Sequence, residues 1–329
     1  MSLHTPQFWY KKDAAPGWRS TALLPLSWLY GLGRKLHVAR AKPYKAGIPV
    51  ICIGNLTAGG AGKTPTAIAL MQMVKTLKIA KNPHFLTRGY GGAARKAVLA
   101  KPDIHDANDV GDEALLLAVH APTIISPNRA DGAALAENIG ADLIIMDDGF
   151  QNHQLAKDFS LLVIDGQSGF GNQYMLPAGP LREPLGAGLA RADAFMIIGE
   201  DKHNIAVSLP MDKPLLNGTI TPHVKNLDKE ARYLAFAGLG QPEKFRATLE
   251  GLSFSIAAWQ SFPDHYPYTQ SDLKTLKSNA AALRAQLITT EKDFMRLKHL
   301  QGADDIHVLP ISMKIDNATE LEKQLQNLS

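Results

Sequence analysis

Residues 48–64 read IPVICIGNLTAGGAGKT and are the most informative stretch of this chain. A strand-like apolar run ends at Gly54, and a glycine-rich turn then leads into a helix-like segment. A turn of this kind leaves several backbone N–H groups aimed at one spot, where the helix dipole also favours negative charge. We therefore predict a phosphate-binding loop, which comprises Thr57, Ala58, Gly59, Gly60, Ala61, Gly62, Lys63 and Thr64.

This loop predicts a nucleoside triphosphate ligand. Lys63 would bring a positive charge to the terminal phosphates, and the hydroxyl of Thr64 would be a ligand for Mg2+. The pattern G-x-x-x-x-G-K-[ST] has glycine where this chain has Thr57, so a glycine-rich turn with an incidental lysine is the alternative. Context favours the loop, because Pro65 suits the first turn of a helix and apolar residues then recur at helical spacing.

Composition sets the class of protein. The chain has 329 residues, 45% of them hydrophobic, so it can bury a sizeable core, and we expect two domains. Cys52 is the single cysteine; this excludes an intramolecular disulfide and a thiolate metal cluster, and we expect it to be buried. The net charge of +4 is concentrated at the N-terminus. Residues 1–46 hold one acidic residue, Asp13, against eight basic ones: Lys11, Lys12, Arg19, Arg34, Lys35, Arg40, Lys42 and Lys45.

Apolar residues lie between these charges, among them Trp9, Trp18 and the run 22–32. The run is shorter than the ~20 residues that a spanning helix needs, and Pro25 interrupts it. We predict that residues 1–46 lie on a membrane surface, because cations and aromatic side chains suit the headgroup boundary. An amphipathic helix packed on the protein's own core is the alternative. A secretory signal is not expected, since no small-residue cleavage pattern follows and the loop needs cytosolic ATP.

Strand-like and helix-like segments alternate after the loop. Apolar runs at 84–87, 123–126, 143–146, 160–164 and 194–198 are separated by helix-like segments such as 113–120 and 130–139. This alternation predicts an α/β fold with a P-loop NTPase-like, mostly parallel sheet covered on both faces.

Proline and turn formers divide the chain. We expect the N-terminal segment 1–46 to belong with a core over 47–207, followed by a linker over 208–226 and a second, smaller α/β domain over 227–329. Within the linker we expect a short extended piece at 215–220, and within the smaller domain a single strand over 306–311.

Two pairs of carboxylates follow strand-like or turn-like segments. Asp147 and Asp148 end the run 143–146, at the sheet edge where ligand sites collect in such folds, so Asp147 is the best candidate for a metal ligand. A simple turn is the alternative for this Asp-Asp-Gly sequence. Asp112 and Glu113 open a helix-like segment, where capping is slightly favoured over a role in binding metal or accepting a hydroxyl proton.

Stiff loops hold the remaining candidates. His265 lies between two prolines in the smaller domain, in a loop able to close over the nucleotide site, and a histidine there can orient a carboxylate base. Arg88, Arg129 and Arg182 lie among glycines and prolines, which suits phosphate recognition by a fork-shaped cation. A solvated surface charge is the alternative for each of them.

Together these features resemble the tetraacyldisaccharide 4'-kinase family of lipid A biosynthesis. The resemblance covers most of the chain, and Thr57 is usual at its position in that family. The family-like stretches are Trp9-Tyr10, 49–65, 87–92, 110–113, 147–151, 176–184, 235–245, 262–268 and 289–293. The family is built as two α/β/α units joined by a flexible linker, which agrees with a break near Ser208.

The resemblance implies transfer of the γ-phosphate of ATP, with Mg2+, to the 4'-hydroxyl of a tetraacyldisaccharide 1-phosphate, which gives a lipid IVA type of product. It implies that Lys63 and Thr64 act on phosphates and metal, that Glu113, Asp147 and Asp148 surround Mg2+, and that Asp112 is the catalytic base, assisted by His265. Arg88, Tyr90, Arg129, Gln151 and Arg182 are then candidates for contacts with phosphate or sugar. Because such a substrate is held in a bilayer, the resemblance also implies a peripheral protein at the cytoplasmic face of the bacterial inner membrane.

Two other classes compete with this interpretation. A P-loop ATPase or GTPase switch or partitioning protein would need a nucleotide-dependent partner surface, and the guanine motif Asn-Lys-x-Asp is not found, since residues 290–293 read Thr-Glu-Lys-Asp. A nucleic-acid-binding ATPase would carry basic residues along a groove, whereas here they cluster around leucines and tryptophans in one terminal segment. We expect no nucleic-acid partner and infer no obligate protein partner.

Overall fold

The computed structural model describes residues 6–10 and 17–328. In these ranges the helices are α1 (Trp18–Arg40), α2 (Lys63–Thr76), α3 (Ala107–Val110), α4 (Asp112–His120), α5 (Arg129–Asn138), α6 (Leu185–Arg191), α7 (Ile205–Ser208), α8 (Glu243–Gly251), α9 (Gln270–Ala282), α10 (Glu291–Leu297) and α11 (Thr319–Gln326). The strands are β1 (Val50–Gly54), β2 (Pro83–Thr87), β3 (Val98–Leu99), β4 (Thr123–Ile125), β5 (Leu143–Asp147), β6 (Phe159–Asp165), β7 (Ala194–Ile198), β8 (Leu215–Pro222), β9 (Arg232–Ala237), β10 (Ser255–Ser261), β11 (Gln286–Thr290), β12 (His307–Leu309) and β13 (Ile311–Asp316). Short 3₁₀ turns lie at Gln7–Tyr10 and Ala303–Asp305. The predicted charges Lys11, Lys12 and Asp13 lie outside the described residues.

The larger sheet is mostly parallel. Its strand order in the described chain is β13-β8-β7-β6-β1-β5-β2-β4-β3. Among the described strands of this sheet, only the two at its edges run against their neighbours, β13 against β8 and β3 against β4. Strand β1 is central and fully buried, because Val50 and Cys52 pack into one hydrophobic cluster while Ile51 and Ile53 pack into another with α2. Helices therefore cover both faces, as the nearly continuous apolar run of β1 predicts.

A smaller parallel sheet has the order β10-β9-β11-β12 over the described residues. Its core contains the buried side chains of Tyr233 and Phe236 on β9, packed against helices on either side. The predicted α/β class, with a mostly parallel P-loop-like sheet and a second, smaller α/β unit, is confirmed.

The sheets divide the chain differently from the sequence boundaries. Strand β8 lies inside the predicted linker 208–226 but pairs with β7, so this segment is longer than the expected extended piece and is part of the larger sheet. The predicted strand 306–311 is two strands in different sheets, β12 and β13, separated by Pro310. Because proline has no N–H to donate, pairing stops there and the chain returns to the larger sheet. Residues 311–326 thus join the larger unit.

Helix α1 has an inverted pattern of burial. Its serines Ser20 and Ser27 are buried, whereas Trp18, Trp28 and Leu29 are 77%, 69% and 65% exposed. Ser27 donates a hydrogen bond of 2.6 Å to the carbonyl of Met175, so the helix docks by its polar side. The alternative of an apolar face packed on the core is wrong. In the described part of the chain, no helix combines the length and apolar character that crossing a membrane takes.

Candidate functional site

The glycine-rich loop lies at the carboxyl edge of the larger sheet. It joins β1 to α2, and Ile53 at the end of β1 is in register with Asp147 at the end of β5. The hydroxyl of Thr64, in the first turn of α2, donates a hydrogen bond of 2.9 Å to Asp147 Oδ2. Parallel strand ends thus bring the two motifs that the sequence singled out into direct contact.

Two glycines of the loop have left-handed backbones. The φ angle of Gly59 is +116° and that of Gly62 is +79°, a region that glycine adopts without the cost a Cβ brings. Gly62 immediately precedes α2, so the backbone amides of the first helical turn are turned toward the loop. The positive φ angles explain why this segment of the sequence is so rich in glycine.

The first half of the loop needs no glycine at Thr57. Thr57 forms an isolated antiparallel bridge with Leu181, which is an extended backbone that any residue adopts. The Ala58 N–H donates to the carbonyl of Pro180 at 2.8 Å, so this amide is not free for a phosphate. Of the predicted loop, Gly59 to Thr64 remain able to surround an anion.

Asn55 is a loop residue that sequence reasoning missed. Its side chain is buried, and its amide donates to the carbonyl of Thr57 at 2.8 Å. Its Oδ1 atom accepts from Lys63 Nζ at 3.4 Å. Asn55 therefore ties both halves of the loop together, and the Gly-Asn-Leu-Thr lead-in was the available signal.

Asp147 is a buried carboxylate without sufficient partners. Its Oδ1 atom has no hydrogen-bond partner among the described residues. Burial, together with the negative charges of Glu113 and Asp148, raises the pKa of Asp147 to about 7, although Lys63 and Thr64 act in the opposite direction. An oxygen of this kind beside the hydroxyl of Thr64 fits a hard cation such as Mg2+.

The described residues do not form a metal cage on their own. No group of three or more His, Cys, Asp or Glu side chains in that part of the chain is arranged to hold a metal ion. Mg2+ commonly takes only one or two carboxylates and completes its shell with water and substrate phosphates. The pairing of Thr64 with Asp147 fits that mode of binding.

Asp148 has a different environment from its neighbour. Its backbone is left-handed with φ of +52°, and its oxygens accept from Arg182 Nη1 at 2.9 and 3.1 Å. Lys63 Nζ lies 3.7 Å from Oδ2. Burial acts to raise the pKa of Asp148, but the charges of Lys63 and Arg182 outweigh it and hold the pKa below its usual value. Asp148 is therefore ionised beside the loop lysine.

Asp112 and His265 form a close pair across the two units. Asp112 is 2% exposed, and His265 Nδ1 lies 3.1 and 3.0 Å from its two oxygens. Burial acts to raise the pKa of Asp112, but the hydrogen bond from His265 and the charges of Lys292, His265 and Arg296 lower it overall. The predicted cap is not the whole explanation, because Gly111 is the N-cap of α4. The one backbone N–H that Asp112 accepts from, within the described chain, is that of Glu113 at 2.8 Å.

Helix α10 brings two cations that sequence reasoning missed. Lys292 Nζ lies 3.0 Å from Glu113 Oε1 and 3.5 Å from His265 Nε2. Arg296 Nε lies 3.2 Å from Asp112 Oδ2. Both belong to the smaller unit, and the only signal for them in the sequence was the family-like stretch 289–293, which contains Lys292 but stops before Arg296.

Tyr90 stands beside this pair. Its ring centroid is 5.0 Å from that of His265. A cavity of about 280 Å³ is lined by Tyr90, Asp112, His265 and Arg296, together with Gly91, Ala107, Asn108, Pro267, Tyr268 and His299. The candidate base and its partner therefore line the same cavity.

Arg88 and Arg129 are cations without carboxylate partners. Arg129 is 3% exposed, and burial followed by the nearby charge of Arg88 lowers its pKa to about 10. Neither arginine has an ion pair within the described chain, and Arg129 Nε has no hydrogen-bond partner there. Two guanidinium groups that repel each other, one of them near Asp147 and Asp148, are chemically suited to an anionic ligand.

Gln151 connects the loop to a buried acid. Its amide donates to the carbonyl of Asn55 at 2.8 Å and to Glu183 Oε1 at 3.0 Å. Glu183 is fully buried and also accepts from Arg34 at 2.6 Å and Arg191 at 2.7 Å. Sequence reasoning placed Gln151 among sugar or phosphate contacts and missed Glu183, which joins α1 and α6 to the loop.

The predicted site residues thus lie in two connected groups. One group surrounds the loop and contains Lys63, Thr64, Asp147, Asp148, Gln151 and Arg182. The other contains Tyr90, Asp112, Glu113 and His265. The charge of Glu113 acts on Asp147 and so links the groups. Arg129 lies near the aspartates of the first group, and Arg88 lies near Arg129.

Known proteins share this architecture. A family model described as Tetraacyldisaccharide-1-P 4'-kinase matches residues 19–329. A tetraacyldisaccharide 4'-kinase of Paramagnetospirillum magneticum is 47% identical over 297 residues, 90% of this chain and 90% of that protein. One of Rhodospirillum rubrum is 43% identical over 331 residues, 99% of this chain and 98% of that protein. A crystal structure from Aquifex aeolicus, described as the "apo" form of LpxK in complex with ATP, is 28% identical with a TM-score of 0.77, covering 94% of this chain and 99% of that one.

These likenesses extend over nearly the whole sequence and include both the loop and the smaller unit. The chain belongs to the tetraacyldisaccharide-1-P 4'-kinase family.

Proposed function

We propose that this protein transfers the γ-phosphate of ATP to the 4'-hydroxyl of a tetraacyldisaccharide 1-phosphate. The observation that carries the proposal is the Oδ1 atom of Asp147, which has no hydrogen-bond partner in the described part of the chain and lies on the carboxylate that Thr64 contacts. The charge of Glu113, next to the base Asp112, acts on the same carboxylate. A nucleotide-driven switch needs the glycine-rich loop with its metal site, but it does not need a carboxylate base paired with a histidine at the wall of a second cavity.

The nucleotide end of the site is built from the loop. Backbone amides from Gly59 to Thr64 would surround the phosphates, and Lys63 would exchange its contact with Asp148 for contacts with phosphate oxygens. Thr64, Asp147, Glu113 and Asp148 are the residues that would hold Mg2+, which neutralises charge on the transferred group when bound.

The acceptor end is built around Asp112. Its carboxylate would accept the proton of the sugar hydroxyl, since neighbouring cations keep it ionised. His265 would hold the carboxylate in place from the smaller unit. A base with a lowered pKa is sufficient here, because phosphoryl transfer depends mainly on positioning and on neutralising charge.

The cations without partners would bind the phosphate groups. Arg88 and Arg129 offer two guanidinium groups that the described chain leaves without carboxylates, so an anionic ligand would relieve their repulsion. Arg182 would add a third once a nucleotide competes for it with Asp148. Tyr90 and Gln151 stay candidates for contacts with the sugar.

Helix α1 would rest on the membrane that holds the lipid substrate. Its exposed face carries Trp18, Trp28 and Leu29, and its buried serines fasten it to the rest of the molecule. Apolar side chains next to arginines suit a surface with anionic headgroups. We propose a peripheral position on the cytoplasmic face of the bacterial inner membrane, where ATP is available.

The test is a kinase assay on the purified protein. In detergent micelles with tetraacyldisaccharide 1-phosphate, we expect product that depends on both ATP and Mg2+, while hydrolysis of ATP without the lipid stays slow. Fast hydrolysis stimulated by DNA or by a protein, with no phosphorylated lipid, would favour the switch class instead.

A further inference from the structure

Arg296 is a buried arginine that the proposed mechanism does not yet use. It is 4% exposed, and its Nη2 atom donates to the carbonyl of Gly238 at 2.9 Å and to Asp293 Oδ1 at 2.6 Å. Its Nη1 atom donates to the carbonyl of Tyr266 at 3.2 Å. Three hydrogen bonds to groups of the smaller unit thus hold the guanidinium in place.

The partner acid of Arg296 is itself fixed on all sides. Asp293 is fully buried and accepts from the N–H of Gly238 at 2.8 Å and from the Tyr268 hydroxyl at 2.8 Å. Its other oxygen accepts from the hydroxyl of Thr290 at 2.6 Å. Asp293 has enough partners to orient Arg296 without help from the larger unit, so the guanidinium is held in place independently of Asp112.

The Nε atom of Arg296 lies next to Asp112, the candidate base. Arg296 Nε makes no aligned hydrogen bond to any described residue, yet it lies 3.2 Å from Asp112 Oδ2. The distance makes an ion pair between two buried groups, which is worth more than the same contact in water. The other oxygen, Oδ1, accepts the N–H of Glu113 on its own helix.

The geometry assigns Arg296 as a positioning residue for Asp112, an assignment that rests on the proposed role of Asp112 as base. His265 contacts Asp112 from a loop. Arg296 contacts it from helix α10, and its guanidinium is held in place by Asp293. Arg296 therefore fixes the rotation of the carboxylate, and with it the direction in which an oxygen faces the cavity that both residues line.

Helix α10 places two cations against the two acids that begin α4. Lys292 and Arg296 are one helical turn apart and contact the adjacent acids Glu113 and Asp112 of α4. Each acid at the start of α4 thus has its own cation from the smaller unit. When the smaller unit contacts α4, Arg296 would hold Asp112 in the orientation needed for catalysis. Turnover would therefore depend on the contact between Arg296 and Asp112, even though Arg296 does not touch the substrate.

The experiment is a double-mutant cycle on the full chain with ATP, Mg2+ and tetraacyldisaccharide 1-phosphate in detergent micelles. We expect Arg296→Met to lower kcat about tenfold or more, with KM for ATP within about threefold, as coupling between contacting charged residues predicts. In the Asp112→Asn background the same substitution should change kcat less than about twofold, because the group that Arg296 positions is gone. Labelled ATP keeps the residual turnover measurable.

A conservative variant and a control complete the design. Arg296→Lys keeps a positive charge and should recover part of the lost kcat. If the melting curve shows that Arg296→Met does not fold, the cycle with Arg296→Lys decides by the same criterion. Arg246→Met removes an arginine of α8 that lies 2.9 Å from Glu250, outside the site, and should leave kcat unchanged.

The outcomes separate the two proposals. Equal losses in both backgrounds, or a loss confined to KM, would overturn the positioning role of Arg296. An Asp112→Asn variant with wild-type kcat would overturn the proposed base itself.

Discussion

Two buried carboxylates of the site have pKa values that move in opposite directions. Asp147 is buried and lies near the negative charges of Glu113 and Asp148, so its pKa rises to about 7. Asp112 is equally buried, but His265 and two further cations outweigh burial and its pKa falls. Such a separation assigns different tasks to two acids of the same type. Groups of the protein itself keep Asp112 ionised, whereas Asp147 would need a bound cation to stay fully ionised near neutral pH.

The raised pKa of Asp147 predicts that the metal-free protein becomes less stable as the pH rises. In the unfolded chain this carboxyl ionises near its usual pKa of about 4, but in the folded protein only near 7. The free energy of unfolding should therefore fall as pH rises from about 4 to about 7, by about 4 kcal/mol, since each pKa unit is worth about 1.4 kcal/mol. Asp147→Asn should remove that loss and raise the melting temperature at pH 8 in EDTA, while abolishing Mg2+-dependent turnover.

Calorimetry at about pH 4.5 and about pH 8 checks this prediction, because the first value lies near the start of the range from about 4 to about 7 and the second lies above its end. Asp212→Asn, at an exposed position, is the matched control and should leave the melting temperature unchanged. The explanation fails if Asp147→Asn destabilises the protein equally at both pH values.

Among the helices, α1 differs from a usual amphipathic helix, which turns its apolar side toward the core of the protein. The two buried residues of α1 are the serines Ser20 and Ser27, whereas large apolar side chains such as Trp18, Trp28 and Leu29 are exposed. Arg34 on this helix pairs with Glu183 at 2.6 Å, and Glu183 accepts from Gln151, which in turn contacts the carbonyl of Asn55. The helix is thus attached to the nucleotide loop through buried polar groups while its apolar side remains available.

This arrangement predicts where membrane binding resides. The double variant Trp28→Ser with Leu29→Ser should lower partitioning into vesicles containing anionic lipid about tenfold or more, since each fully buried side chain of this size contributes roughly 1.5 to 3 kcal/mol. Co-sedimentation with the vesicles measures the effect. Val207→Ser with Met211→Ser, which changes two exposed apolar residues elsewhere, should leave partitioning unchanged. Equal partitioning of both double variants and the wild type would contradict the role of α1.

Across the whole molecule, sequence reasoning was strongest where backbone geometry is local. The strand, glycine loop and helix at 48–64 depend on residues adjacent in sequence, and the structure has β1, the loop and α2 there. The α/β class and the kinase function are likewise confirmed by the larger sheet and by the family match.

Long-range pairing was the part that the sequence did not reveal. Nothing local in 311–316 indicates a return to the larger sheet, because β13 depends on pairing with β8 some ninety residues earlier. Arg296 and Glu183 escaped notice for the same reason, since their partners lie on other elements. The roles of the individual site residues stay predictions.

The central claim is that residues 59–64 hold the triphosphate beside Asp147 and within reach of the Asp112 pair. A crystal structure with Mg2+ and a non-hydrolysable ATP analogue tests it most directly. We predict phosphate oxygens on the amides of Gly59 to Thr64 and on Lys63 Nζ, with the metal bound to Thr64 and Asp147. A triphosphate bound elsewhere, or a metal that leaves Asp147 Oδ1 without a ligand, would contradict the account.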